Sequence, residues 1–237
     1  MLSIQNINKK IKDKNIVSNI SFEVSSGCIS GLLGPNGAGK TSTFYIIAGL
    51  IKADKGDIFL AGENVSNFAM HERSKMGIKY LPQEPSIFQN LSVYENLLGL
   101  AELSFKRKKD IENFITKSIE EFNLSEILNH KGRQLSGGQR RKVEIARTLA
   151  ANPKIILLDE PFAGIDPIAI DEIKKVLIKL KNRNISILIT DHNVREALEI
   201  CDHAIVINNG SIIAKGDKNS LIRDEMVKKV YLGDMYS

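Results

Sequence analysis

Residues 34–41 read Gly-Pro-Asn-Gly-Ala-Gly-Lys-Thr, a full fit to the spacing G-x-x-x-x-G-K-[ST]. The apolar run Cys28-Ile29-Ser30-Gly31-Leu32-Leu33 leads into it, and Thr43–Leu50 leaves it with helical character. A strand, a glycine-rich loop and a helix in that order call for an α/β sheet with the loop at a strand's carboxyl end. Glycines at 34, 37 and 39 let the backbone turn so that successive N–H groups point inward at phosphate oxygens. The following helix adds the partial positive charge of its N-terminus. The expected phosphate contacts are therefore Gly34, Pro35, Asn36, Gly37, Ala38, Gly39, Lys40, Thr41 and Ser42. Lys40 places a point charge near the β- and γ-phosphates, and the Thr41 hydroxyl matches the hard-oxygen preference of Mg2+.

With 237 residues the chain has ample length for one large domain, or for a domain carrying an insertion. A net charge of +5 is compatible with an anionic membrane surface or nucleic acid but too mild to choose either. No nucleic-acid partner is expected. The basic run Lys106-Arg107-Lys108-Lys109 is read as a solvated helix start. Cys28 and Cys201 lack metal or redox spacing and are expected as small buried apolar residues in a reducing compartment. No run approaches the roughly 18 apolar residues that a bilayer span needs, and no secretory signal pattern is recognised. A cytoplasmic protein is expected, with membrane association only through a partner.

Leu2–Ile7 and Ile20–Val24, separated by the polar stretch 9–15, predict an antiparallel strand pair ahead of the loop. Gly56–Ala61 and Met76–Leu81 read as further strands. Between about residues 86 and 151 the period changes: Val93–Leu103 and Ile111–Phe122 carry apolar residues at helical spacing. This stretch is expected to be a helical subdomain inserted into a nucleotide-binding core formed by residues 1–85 and 152–237. Strand and helix signals alternate again after Pro153. Ile155–Leu158 and Ile185–Thr190 read as buried strands, Pro167–Lys181 as a helix, and Asn208-Asn209-Gly210 as a hairpin turn. The fold class is α/β, a P-loop NTPase core with an antiparallel β subdomain.

Asp159 and Glu160 follow a buried strand, where α/β sheets bind their ligands. Asp159 is a candidate for direct or water-mediated Mg2+ binding, and Glu160 for polarising the water that attacks a γ-phosphate. Alone, such a pair is more often a solvated strand end; beside a phosphate loop and before Pro161 the functional reading is the stronger. An isolated histidine is usually a satisfied core residue. His192, however, follows the Ile187–Thr190 strand next to Asp191, which sets it near the γ-phosphate. Gln83 lies in a proline-bounded segment at the junction of core and helical subdomain, where its amide can touch Mg2+ or water. Far along the chain, Leu135-Ser136-Gly137-Gly138-Gln139 opens another helix, and small residues there leave N–H groups free for an anion. A second copy of the chain would explain this second anion site, with Ser136, Gly137, Gly138 and Gln139 facing the other copy's γ-phosphate.

Taken in order, the phosphate loop, Gln83, Leu135–Gln139, Ile155–Glu160, Ala163-Gly164-Ile165-Asp166 and His192 resemble the ATP-binding cassette (ABC) ATPases over essentially the whole chain. The resemblance implies a head-to-tail homodimer with two ATP molecules at the interface and Asp166 in a loop that crosses between subunits. Several stretches, among them Gly34–Tyr45, Gly77–Glu84, Leu91–Leu97, Leu158–Pro167 and Ile189–Glu196, are most similar to the ATPases of lipopolysaccharide exporters. That implies a pair of integral membrane subunits as partners, with the ATPase peripheral on the cytoplasmic face of the inner membrane. Two departures stand out. Ile11 occupies the position where the family usually stacks an aromatic ring on adenine, and Gln89-Asn90 replaces basic residues after Phe88. ATPases of branched-chain amino acid importers share the Val230-Tyr231-Leu232-Gly233 type of ending and are the nearest alternative. A cassette ATPase without transport, such as an Fe–S assembly scaffold, is the alternative of another class. A generic P-loop kinase has no use for Leu135–Gln139.

Overall fold

The computed structural model describes residues 1–233. Leu2–Ile11 (β1) and Lys14–Val24 (β2) form a hairpin turned by Lys12 and Asp13, both at positive φ (46° and 63°). That pair of dihedrals matches the twist of a two-residue hairpin loop, so the strands pair right up to the turn. They therefore run through the polar stretch that the apolar pattern leaves as a separator. Ile29–Leu33 (β3) enters the glycine loop, and Lys40–Ala48 (α1) leaves it. Lys55–Leu60 (β4) and Glu63–Asn64 (β5) extend the first hairpin into a four-stranded sheet in the order β2-β1-β4-β5.

Met70–Met76 (α2) precedes Ile78–Leu81 (β6). Met76, expected at the start of the strand, closes the helix instead, because Gly77 adopts φ 114° and caps it with bonds to Arg73 and Ser74 carbonyls. Residues 86–151 hold the helices Val93–Ser104 (α3), Lys108–Glu121 (α4) and Gly137–Thr148 (α5), with short 3-10 turns and one isolated bridge, Ser92 to Lys131. Beyond them come Ile155–Asp159 (β7), Pro167–Asn182 (α6), Ser186–Thr190 (β8), Val194–Ile200 (α7), His203–Asn208 (β9), Ser211–Gly216 (β10) and Lys218–Arg223 (α8). The second sheet has six strands in the order β10-β9-β3-β8-β7-β6, parallel except for β10.

Side-chain alternation divides the core across this second sheet. Ile155 and Leu157 of β7 point into one apolar cluster with Leu32, Leu188, Phe44 and Ile47, beneath the β1–β2–β4 sheet. Ile156 and Leu158 point the other way, into a cluster with Val143, Ile173, Leu177 and Leu198 from the helices. A strand covered on both faces needs a predominantly apolar run with any polar residues small, and β3, β7 and β8, buried at every position, are largely of that kind. Their carboxyl ends, where the runs stop, gather the loop at 34, Glu160 and Asp191 on one edge. Cys28 and Cys201 are half-buried rather than fully enclosed, Cys201 against the helical cluster. Among the described residues no helix is long and apolar enough to cross a membrane.

Candidate functional site

The glycine loop is held by backbone geometry that side chains would not tolerate. Gly34 sits at φ 148°, and a Cβ there would lie 2.0 Å from the Ile207 carbonyl oxygen. Gly39, the N-cap of α1 at φ 103°, brings a Cβ position within 2.6 Å of the Ile16 carbonyl. Both contacts press the loop against β9 and the β1–β2 hairpin. The Lys40 ammonium is buried and donates to the Gly34 carbonyl at 2.7 Å and the Pro35 carbonyl at 3.0 Å. Burial pushes its pKa down, while Glu160, Asp159 and Asp191 push it up. An ammonium that finds only its own loop's carbonyls has donors to turn toward a polyphosphate. Thr41 is exposed at the loop's mouth and Thr43 is spent on the Gly39 carbonyl.

Three carboxylates crowd the adjacent strand ends. Asp159, at the end of β7, is buried and accepts from the Tyr80 hydroxyl at 3.1 Å. Asp191, after β8, accepts from the backbone N–H of Phe162 at 2.9 Å and of Asn193 at 2.7 Å. Glu160 takes φ 47° and donates its N–H to the Thr190 carbonyl at 2.7 Å, which swings its side chain off the strand direction. Burial raises the pKa of all three. Glu160 Oε2 lies 2.7 Å from His192 Nε2, yet this buried oxygen has no aligned donor. The two atoms are close without the alignment of a hydrogen bond, which leaves a lone pair of Glu160 unused. Thr190 Oγ1 is likewise buried without a partner. Unused oxygens beside a buried lysine fit a site built to receive a polyanion with its cation and a water.

Gln83 is exposed and shares a cleft of about 570 Å3 with Glu160, Gly137, Arg140 and Gly164. Ser136 caps α5: its Oγ accepts from the Gln139 N–H at 3.2 Å, and Gln139 Oε1 accepts from the Ser136 N–H at 3.0 Å. Gly138 is needed for close approach, since a Cβ there would stand 2.4 Å from Ala169 Cβ on α6. The structure thus brings Lys40, Asp159, Glu160 and His192 to one strand edge, with Gly137 and Gln83 along the cleft. Ser136 and Gln139 border a different cleft, with Asp166.

Sequence reasoning passed over several residues of this site. Arg141, buried on α5, donates to the Pro82 carbonyl at 3.0 Å and the Asp159 carbonyl at 3.2 Å, the residues just before Gln83 and Glu160. Tyr80 and Asp191 complete the carboxylate cluster. Only a helical-wheel reading of α5, which buries Arg141 with Val143, Glu144 and Ile145, carries a signal for the arginine.

Known proteins resemble this chain over most of its length. Residues 17–163 match the family model described as ABC transporter. The chain is 51% identical over 241 aligned residues to the lipopolysaccharide export system ATP-binding protein LptB of Haemophilus influenzae, covering 100% of this chain and 98% of the relative. To LptB of Escherichia coli it is 47% identical, covering 98% and 97%. A solved ATP-binding cassette of an ABC transporter in its ADP conformation superposes with a TM-score of 0.89 at 31% identity, covering 98% of each chain. A phosphate loop facing a cluster of three carboxylates, on a chain matched end to end by such relatives, leaves one conclusion: the chain belongs to the ABC transporter family, as an ATP-binding cassette.

Proposed function

We propose that this chain is the ATP-hydrolysing subunit of a lipopolysaccharide exporter, working as a homodimer beneath two integral membrane subunits of the LptF/LptG type on the cytoplasmic face of the inner membrane. The observation that carries the reading is the near-complete coverage at 51% and 47% identity by two lipopolysaccharide export ATP-binding proteins. The backbone N–H groups of the loop from Asn36 to Thr41 and the Lys40 ammonium hold the β- and γ-phosphates of ATP. Thr41, Gln83 and Asp159 would hold Mg2+, which supplies charge neutralisation on the β- and γ-oxygens when bound. Glu160 takes the proton of the attacking water, and His192 holds Glu160 in place and faces the γ-phosphate. Ser136, Gly137, Gly138 and Gln139 present an anion site to the partner copy's nucleotide; Ser136 and Gln139 line a cleft apart from the one that holds Glu160, which supports this reading.

The helical stretch 86–151 is the element we assign to partner contact. Phe88 is 53% exposed at the loop before α3, with Leu91 and Tyr94 also exposed nearby. Its backbone is clamped to Asn96, which accepts from the Phe88 N–H at 2.9 Å and donates to its carbonyl at 3.0 Å. Arg147 lies over the ring, 5.4 Å from its centroid. A loop held this firmly presents its ring to a partner helix from the membrane subunits. Gentle detergent purification with mass identification of co-purifying membrane proteins tests the reading. Recovery of lipopolysaccharide-exporter membrane subunits is expected; recovery of amino acid permease subunits, or of none, would overturn it.

A further inference from the structure

Helix α6 is apolar where it faces the core, through Ile170, Ile173, Leu177 and Leu180, yet Lys174 on the same helix is only 7% exposed. Its ammonium meets the carboxylates of Glu196 and Glu199, one turn apart on α7, with Asp171 3.9 Å away. Lys181, seven residues further and so on the same stripe of α6, pairs with Asp202 just beyond the end of α7. Asp202 also accepts from the Ile29 N–H at 2.9 Å, at the start of the strand that runs into the phosphate loop. Two lysines of one helix therefore grip α7 along its length and just beyond its end.

Ion pairs whose carboxylates stay partly exposed, as those of Glu196, Glu199 and Asp202 do, add little net stability, since solvent screening and desolvation offset their attraction. What they add is direction. The apolar face of α7 (Val194, Ala197 and Leu198) packs against the core, and non-directional burial fixes the axial position less sharply than paired charges do. The lysine pairs resist sliding along the helix axis. His192 is separated from α7 by Asn193 alone, and its Nε2 stands 2.7 Å from Glu160. Any axial slip of α7 is thus transmitted to the imidazole.

Resting on the ATPase reading above, we infer that Lys174 and Lys181 form a ladder that sets the axial position of α7 and thereby holds His192 against Glu160. They are positioning residues and touch no substrate. No proton or bond changes hands at the ladder; it acts on geometry only.

The test uses the full chain with Lys174→Met, Lys174→Arg and His192→Ala. The chain has 4 histidines, so ring signals of isotope-labelled protein can be assigned one by one. Lys174→Met is expected to shift or broaden the His192 ring resonance while His71 and His130 stay unchanged, with Lys174→Arg close to wild type. ATP turnover should fall about tenfold with KM within about twofold, and Lys174→Met should have no further effect in the His192→Ala background. An unmoved His192 resonance, or an equal loss of turnover on top of His192→Ala, overturns the ladder. Should Lys174→Met fail to fold, Glu199→Gln at the exposed end of the pair replaces it, with the same two outcomes. If wild type and His192→Ala turn over ATP equally, the catalytic reading fails while the resonance still decides the ladder.

Discussion

Glu160 and His192 meet at 2.7 Å because β7 and β8 are neighbours in parallel register, Asp159 opposite Thr190, so that the residues just past each strand converge. The contact has a consequence for pH. Burial raises the Glu160 pKa, and the His192 charge partly opposes this. The base form exists above that pKa and is lost as pH falls through it, so the acidic limb of turnover lies above that of an ordinary carboxyl. His192→Ala removes the opposing charge and should move the limb to still higher pH, besides lowering the plateau at least about tenfold. A pH profile of kcat for both proteins checks this; a limb that stays or moves down contradicts it.

Asp159 illustrates the conflict between site and stability. Its carboxylate is buried with one hydrogen bond, from Tyr80, and burial raises its pKa. A folded-state pKa above the unfolded one means that the native state binds more protons, so the charged form destabilises the protein at pH above the unfolded value. Asp159→Asn should raise the Tm of nucleotide-free protein at neutral pH, at about 2–4 °C per kcal/mol for a chain of this length, and the gain should vanish below about pH 4. Turnover should collapse in the same variant. Thermal scans at two pH values distinguish this from a neutral substitution.

Ile11 is 45% exposed on the hairpin that packs Ile16 against the phosphate loop. An aromatic ring there would add stacking on a purine, worth about 0.5–1.5 kcal/mol beyond area burial. Ile11→Tyr should tighten ATP binding about two- to tenfold in a titration. An unchanged or weaker Kd would mean that the base is held elsewhere.

Phe88→Ala should leave folding and the ATPase activity of the isolated chain intact and abolish co-purification with the membrane subunits. Exposure of the ring and the backbone clamp from Asn96 make the fold insensitive to its loss. An unstable variant would show that the ring is a packing residue, and normal assembly would place the partner on another face.

The phosphate loop, the Asp159–Glu160 strand end and the Asn209-Gly210 hairpin were legible because each is local: a spacing, an apolar run and a turn pair. The sheet order, with β3 between β8 and β9, was not, since pairing partners lie far apart along the chain. Arg141 and Lys174 were illegible for the same reason. Their sequence neighbours say only that they lie on helices; their significance comes from the carbonyls of Pro82 and Asp159 and the carboxylates of Glu196 and Glu199, which the fold delivers. Apolar periodicity places Met76 on the strand because it does not register the left-handed turn at Gly77.

The claim that Glu160 is the base for hydrolysis is tested most directly by ATP turnover and ATP retention in Glu160→Gln, measured on the purified transporter complex. Positioned proton transfer contributes about 10²–10⁴-fold, so turnover should fall by that factor while ATP stays bound. Retention of more than about a tenth of wild-type turnover would contradict the assignment.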